Sequence, residues 1–146
     1  MDKPPSCEFD SDKLRLRAEI GFAADIGEIP AVVDQIMSTV TAMNCAEGKE
    51  FEIEIALREA LVNAVVHGCK GDTSKKVECC VACDESHGIL IVVRDPGPGF
   101  DPHSLPDPLY GENLFAAHGR GIYLINQLMD EVTFKHGGTE IHMRKK

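Results

Sequence analysis

The amino-acid sequence predicts an α+β fold, a two-layer α/β sandwich in which a mostly antiparallel, mixed sheet carries its helices on one face. Three observations predict it. Apolar residues alternate with polar ones in several short stretches, and recur at helical spacing in longer ones. The stretches follow in the order β-α-α-β-β-α-β-β, which sets strand pairs side by side as antiparallel hairpins require. One run, Ile89-Leu90-Ile91-Val92-Val93, has no polar alternation and marks a central strand buried on both faces.

Residues 1 to about 10, with Pro4 and Pro5, are expected to form a flexible tail, and residues 11–146 a single domain. A chain of 146 residues with 43% hydrophobic content is long enough for one core. Leu14, Leu16, Ala18 and Ile20 alternate with charged residues, the period of a half-buried strand. Asp25 and Glu28 form a capping pair ahead of Pro30, after which Val33, Met37, Val40 and Met43 follow at helical spacing. A second helix is expected from about Lys49 to His67, closed by Gly68, with apolar residues around most of its circumference. Such a helix lies between layers. Lys76 to Cys83 and Ile89 to Arg94 then pair through a turn at 84–88. From Phe100 to His118, Pro102, Pro106, Pro108 and Gly111 interrupt any period, and loops of such length are usually lids, binding loops or disordered. Ile122, Leu124, Ile125, Leu128 and Met129 mark a third helix. Val132 and Phe134, then Thr139, Ile141 and Met143, form a closing hairpin whose Gly137-Gly138 turn admits positive φ.

Lys and Arg number 15 against 24 Asp and Glu, a net charge of −9 that repels phosphate backbones and anionic bilayers. Neither nucleic acid nor membrane is therefore expected as a direct partner, and the Arg144-Lys145-Lys146 cluster reads as a solvated end. No apolar signal core and no run long enough to span a bilayer is present, so a cytoplasmic protein is expected. Among the six cysteines, Cys80-Val81-Ala82-Cys83 has CxxC spacing, but residues three apart on a strand face opposite ways and cannot share a metal. The cysteines are expected to be small, reduced core residues.

The candidate chemistry lies on a few polar residues. Glu59 and Asn63 are four apart, so they share one helix face, beside Ile55, Val62 and Val66. A carboxylate among aliphatics costs on the order of several kcal/mol unless paired, metal-linked or protonated. That suits a functional group, although ExxxN also arises by chance. Asp95 follows directly on the buried strand, and Gly97 and Gly99 permit close backbone approach to a ligand. A tight surface turn would read the same way. Gly119-Arg120-Gly121 opens the third helix, where free N–H groups and the dipole favour an anion and Arg120 adds charge. Thr139 shares a face with Ile141 and Met143, so its hydroxyl needs a partner, either a ligand or water in a cavity or neighbouring backbone. His67 reads as a structural residue of its helix end.

Taken in order, Glu59-x-x-x-Asn63, Asp95-x-Gly97-x-Gly99, the long loop, Gly119-x-Gly121 and Gly138-Thr139 resemble the histidine-kinase-like ATPases, the GHKL superfamily. The segments at 58–68 (REALVNAVVHG) and 128–132 (LMDEV) are most similar to the bacterial anti-sigma-factor serine kinases, and the similarity runs from about Leu14 to the end. The resemblance implies a Bergerat-type fold with ATP and Mg²⁺ as cofactors. It implies that Asn63 holds Mg²⁺, that Asp95 contacts the adenine amino group and that Thr139 reaches adenine through water. Gly97, Gly99, Gly119, Arg120 and Gly121 would shape the pocket, with a lid at about 100–118. In the kinase members the residue matching Glu59 is the general base acting on a serine of an antagonist protein. The implied function is an ATP-dependent serine-protein kinase and anti-sigma factor in a partner-switching circuit, with a sigma factor and an antagonist protein as partners and a possible homodimer. The alternative is a non-catalytic ATP/ADP-sensing protein-binding module. One departure favours the alternative: no Lys or Arg lies between Asp95 and Arg120, and the loop carries Asp101, Asp107 and Glu112.

Overall fold

A computed structural model describes residues 14–44, 46–84, 88–97 and 117–146. The expected N-terminal tail, Gly99 and the expected lid up to residue 116 lie outside the described residues. The chain runs β1 (Leu14–Ala23), α1 (Ile29–Met43), α2 (Glu50–Asn63), β2 (Lys76–Asp84), β3 (Gly88–Arg94), α3 (Ala117–Leu128), β4 (Glu131–Lys135) and β5 (Glu140–Lys145). The strands form one five-stranded sheet in the order β1-β2-β3-β5-β4. Every pairing among them is antiparallel, so the described sheet has no parallel component.

Because β3 is the middle strand, its apolar run is buried from Ile89 to Val93. Register decides which side chains meet the helices. Ile91 pairs with Val81 and Met143, and Val93 with Cys79 and Ile141, all facing the core with Phe22 and Val77. The helical layer answers with Val33 and Val40 from α1, Ile53, Leu57 and Leu61 from α2, and Ile125 from α3. The opposite face buries a smaller cluster of Cys80, Leu90 and Val92. On that face Glu140 and His142 are buried as a pair, with Oε1 and Nε2 2.6 Å apart, so neither polar group lacks a partner.

Local chemistry refines three of the expected elements. Asp25 accepts the Gly27 N–H at 2.9 Å and caps a short 3₁₀ turn at Ile26–Glu28, after which Pro30 enters the first turn of α1; no cap bond comes from the Glu28 side chain. The second helix stays α-helical only to Asn63. It then widens into a π turn over Ala64–Gly68, in which the Cys69 N–H reaches back to the Ala64 carbonyl at 2.8 Å. The closing turn is longer than Gly137-Gly138 alone, since His136 joins them at positive φ.

The cysteines require a correction. Cys69 and Cys79 are free and buried, and burial pushes the Cys79 thiol up to about 12. Cys80 and Cys83, however, each take part in a disulfide, so the expectation of reduced thiols fails for them. Alternation along β2 separates residues three apart but says nothing about which other sulfur approaches each one. No helix among the described residues is long and apolar enough to cross a membrane.

Leu57 is fully buried on the face of α2 that meets the sheet. Leu57→Ala should therefore lower the unfolding free energy by about 2–5 kcal/mol, read from the midpoint of urea denaturation at unchanged slope.

Candidate functional site

A cavity of about 330 Å³ opens between the end of α2, the first buried turns of α3 and the strand ends of β3 and β5. Its walls are apolar where Ala60, Ala64, Val93, Ile122, Phe134 and Ile141 line it, with a few polar groups from Asn63, His67, Lys70, Asp95 and Thr139. That size and mixture suit a small planar molecule fixed by a few hydrogen bonds.

Asp95 is held through both its backbone and its side chain. Its N–H donates to the Thr139 carbonyl at 2.9 Å, which ties the end of β3 to the entry of β5. Its carboxylate accepts the Gly97 N–H at 2.8 Å. Burial raises its pKa, opposed in smaller measure by the Gly97 N–H and by the positive charge of Lys75. Two glycines allow the fit: a side chain on Gly68 would overlap the Asp95 carboxylate, and one on Gly97 would overlap the Gly68 carbonyl.

Asn63 lines the cavity, while Glu59 stands one turn earlier on the same helix, outside the lining. Gly121 of α3 reaches both. A β-carbon there would lie 3.0 Å from Glu59 Oε2 and 3.2 Å from Asn63 Nδ2, so a larger residue would push on both side chains. α3 begins at Ala117, so Gly119 and Arg120 fall within its first turn, whose N–H groups lack intrahelical acceptors, and Gly121 follows them. The side chain of Arg120 lies outside the described residues. Thr139 lines the cavity, and its hydroxyl donates to the His136 carbonyl at 2.8 Å. Of the two partners open to it, neighbouring backbone takes the proton, and the oxygen remains an acceptor toward the cavity.

The structure thus brings Asn63, Asp95 and Thr139 to one cavity, while Gly97 packs against Asp95 and Gly68, and Gly121 against Asn63 and Glu59, the last of which does not line the cavity. Sequence reasoning missed Gly68 and Lys70 and took His67 for a structural residue, yet all three line the cavity. The signal for His67 was available, since it lies four residues after Asn63. Desolvation lowers the His67 pKa and so favours its neutral form. Among the described residues no group of three or more His, Cys, Asp or Glu could hold a metal by itself.

An antiparallel sheet whose middle strand ends in a half-buried aspartate, roofed by a helix bearing Glu and Asn, is the arrangement of a nucleotide-dependent ATPase domain. The chain belongs to the histidine kinase-like ATPase domain family, which matches residues 22–145. The resemblance read from the motifs is borne out, and membership in an ATPase family implies binding of ATP. Its relatives include the anti-sigma F factor of Oceanobacillus iheyensis, 30% identical over 117 residues, 75% of this chain and 78% of that protein. The serine-protein kinase RsbW of Bacillus licheniformis is 29% identical over 127 residues, 80% of this chain and 79% of the relative. RsbW of Bacillus subtilis strain 168 is 31% identical over 104 residues, 64% and 62% of the two chains.

Two outcomes test this geometry. Gly68→Ala forces Asp95 to move and should cost about 1–3 kcal/mol in denaturant unfolding, the range of an overpacked site. Asp95 has the opposite sign. A carboxylate whose pKa is raised by folding binds its proton more tightly in the folded state, so its cost develops as pH rises through the folded pKa and disappears in acid. Asp95→Asn should therefore be at least as stable as the wild type at neutral pH, and the margin should shrink on acidification, as followed by thermal unfolding across pH.

Proposed function

We propose that this chain is an ATP-dependent serine-protein kinase and anti-sigma factor of a partner-switching circuit, acting in the cytoplasm as one domain over residues 11–146 with a lid at about 100–118. The observation that supports the reading is that Asp95 and Asn63 line one cavity and that Gly121 of α3 packs against both Asn63 and Glu59. Asp95 accepts a hydrogen bond from the adenine amino group, with Thr139 as a second acceptor through water. The phosphates then extend past Asn63 toward Glu59 and the first turn of α3, where the N–H groups of Gly119 and Arg120 receive them.

Mg²⁺ fits the donor set. It is commonly held by one or two protein oxygens together with substrate phosphates, and Asn63 offers one amide oxygen at the cavity wall. When bound, the ion neutralises charge on the phosphates. The protein's own part is positioning and proton transfer: Glu59 accepts the hydroxyl proton of a partner's serine as that oxygen attacks the γ-phosphorus, and ADP departs. The names of the relatives, anti-sigma F factor and serine-protein kinase, support a sigma factor and a small antagonist protein as partners.

A second reading rests on a specific feature. With no Lys or Arg between Asp95 and Arg120, the lid offers acidic side chains and no permanently cationic one for transfer, which favours a module in which ATP or ADP only selects the partner. Purified protein incubated with labelled Mg·ATP and candidate antagonist proteins separates the two. Under the kinase reading, phosphoserine forms on the antagonist and Glu59→Gln slows it by about 10²–10⁴-fold while ATP affinity is nearly kept. ATP binding that weakens in Asp95→Asn, with no antagonist ever phosphorylated, would establish the sensing module instead. Absence of adenine-nucleotide binding would sink both.

A further inference from the structure

The last three residues are not the solvated end that their charge suggests. The Asp130 N–H donates to the Arg144 carbonyl at 2.9 Å and the Lys146 N–H to Asp130 Oδ2 at 2.6 Å, while the Arg144 and Lys146 side chains both pair with Glu131. The backbone on either side of Lys145 is thereby fixed against the turn that follows α3. From there the Lys145 side chain, only 15% exposed, reaches two helix ends at once. Its Nζ donates to the carbonyl of Leu128, the last residue of α3, at 2.6 Å, and lies 3.7 Å from Oε2 of Glu52 in the first turn of α2. The final carbonyls of a helix lack intrahelical donors and favour a nearby cation, and the last turn of α3 holds no basic residue of its own. Lys145 supplies one from β5.

This clamp has a counterpart at the other end of the same two helices. Gly121, about two turns before Leu128 on α3, packs against Glu59 and Asn63, and Glu59 stands about two turns after Glu52 on α2. The helices therefore run antiparallel, with about 10 Å of each between the two contacts. Ile125, fully buried between them, seats α3 on the core. A helix is stiff over that length, so a shift at Leu128 is felt at Gly121. We propose that Lys145 is a positioning residue of the candidate site: by holding the C-terminal end of α3 to α2, it sets how closely Gly121 approaches Glu59 and Asn63. The assignment rests on the reading of the cavity as an ATP site.

The test is a double-mutant cycle between Gly121→Ala and Lys145→Met, which keeps an apolar stem but removes the ammonium, read as Mg·ATP affinity by calorimetric titration. With Lys145 in place the added methyl is pressed onto Glu59 and Asn63 and should weaken ATP about tenfold. In Lys145→Met α3 can yield, and the same methyl should cost less than about threefold. Lys145→Met alone should weaken ATP about threefold, and Lys145→Arg should restore both the affinity and the full penalty of Gly121→Ala. Substitutions this far apart with no shared partner ordinarily add. A lysine that serves stability alone leaves the two effects additive, and that result, or no recovery in Lys145→Arg, overturns the assignment. Cooperative urea unfolding at unchanged slope shows that each variant is folded, and Lys145→Gln replaces Lys145→Met in the cycle if the latter is not. If the wild type binds ATP and the effects add, only this assignment falls; if it binds no adenine nucleotide, the ATP reading falls and the assignment with it.

Discussion

A single carboxylate, that of Asp95, sets the geometry on which the site depends. It follows the middle strand of the sheet, whose two neighbours are β2 and β5, so its backbone cannot shift without disturbing both. Its N–H is bound to the Thr139 carbonyl and its side chain holds the Gly97 N–H. Partial removal from water disfavours its charge, and the fold tolerates this because the central strand is so strongly specified. An acceptor held in this way needs no reorganisation when a donor arrives. The cost to the folded state is recovered as recognition.

α2 connects that acceptor to the rest of the chemistry. One face supplies Ile53, Leu57 and Leu61 to the core, and another presents Glu59 and Asn63. The transition from α to π at Ala64 shifts the last turn, so that Gly68 lies against Asp95 while His67 and Lys70 reach the cavity wall. A π turn at a functional site is a recurrent device, because it rotates the following side chains without ending the helix. Packing and function share one element here: whatever loosens the core face of α2 also moves Glu59 and Asn63. The approach of α3 at Gly121 adds a third constraint, since its missing side chain leaves room for both polar groups.

Family membership and this geometry account for different parts of the proposed activity. The family implies ATP; the named relatives bring a protein serine and a sigma factor into consideration. The departure of this chain is electrostatic. Its loop between Asp95 and Arg120 carries three carboxylates, Asp101, Asp107 and Glu112, and neither Lys nor Arg.

Much of the site was legible in the order of residues because the relevant patterns are local. Four-residue spacing placed Glu59 and Asn63 on one face, the unbroken run Ile89–Val93 identified the central strand, and Asp95 follows it after Arg94. Thr139 was legible only as a choice between two partners, and the His136 carbonyl is the one its hydroxyl uses. The sequence by itself determined the elements, their antiparallel order and which side chains share a face, since periodicity depends on neighbours in the chain. Only the tertiary structure decided which faces meet. It set Gly68 against Asp95, Gly121 against Glu59 and Asn63, Lys70 at the cavity's edge, and Cys80 and Cys83 in disulfides. These contacts join residues far apart in sequence or turned by an irregular helix end, and no spacing rule encodes the distance between them.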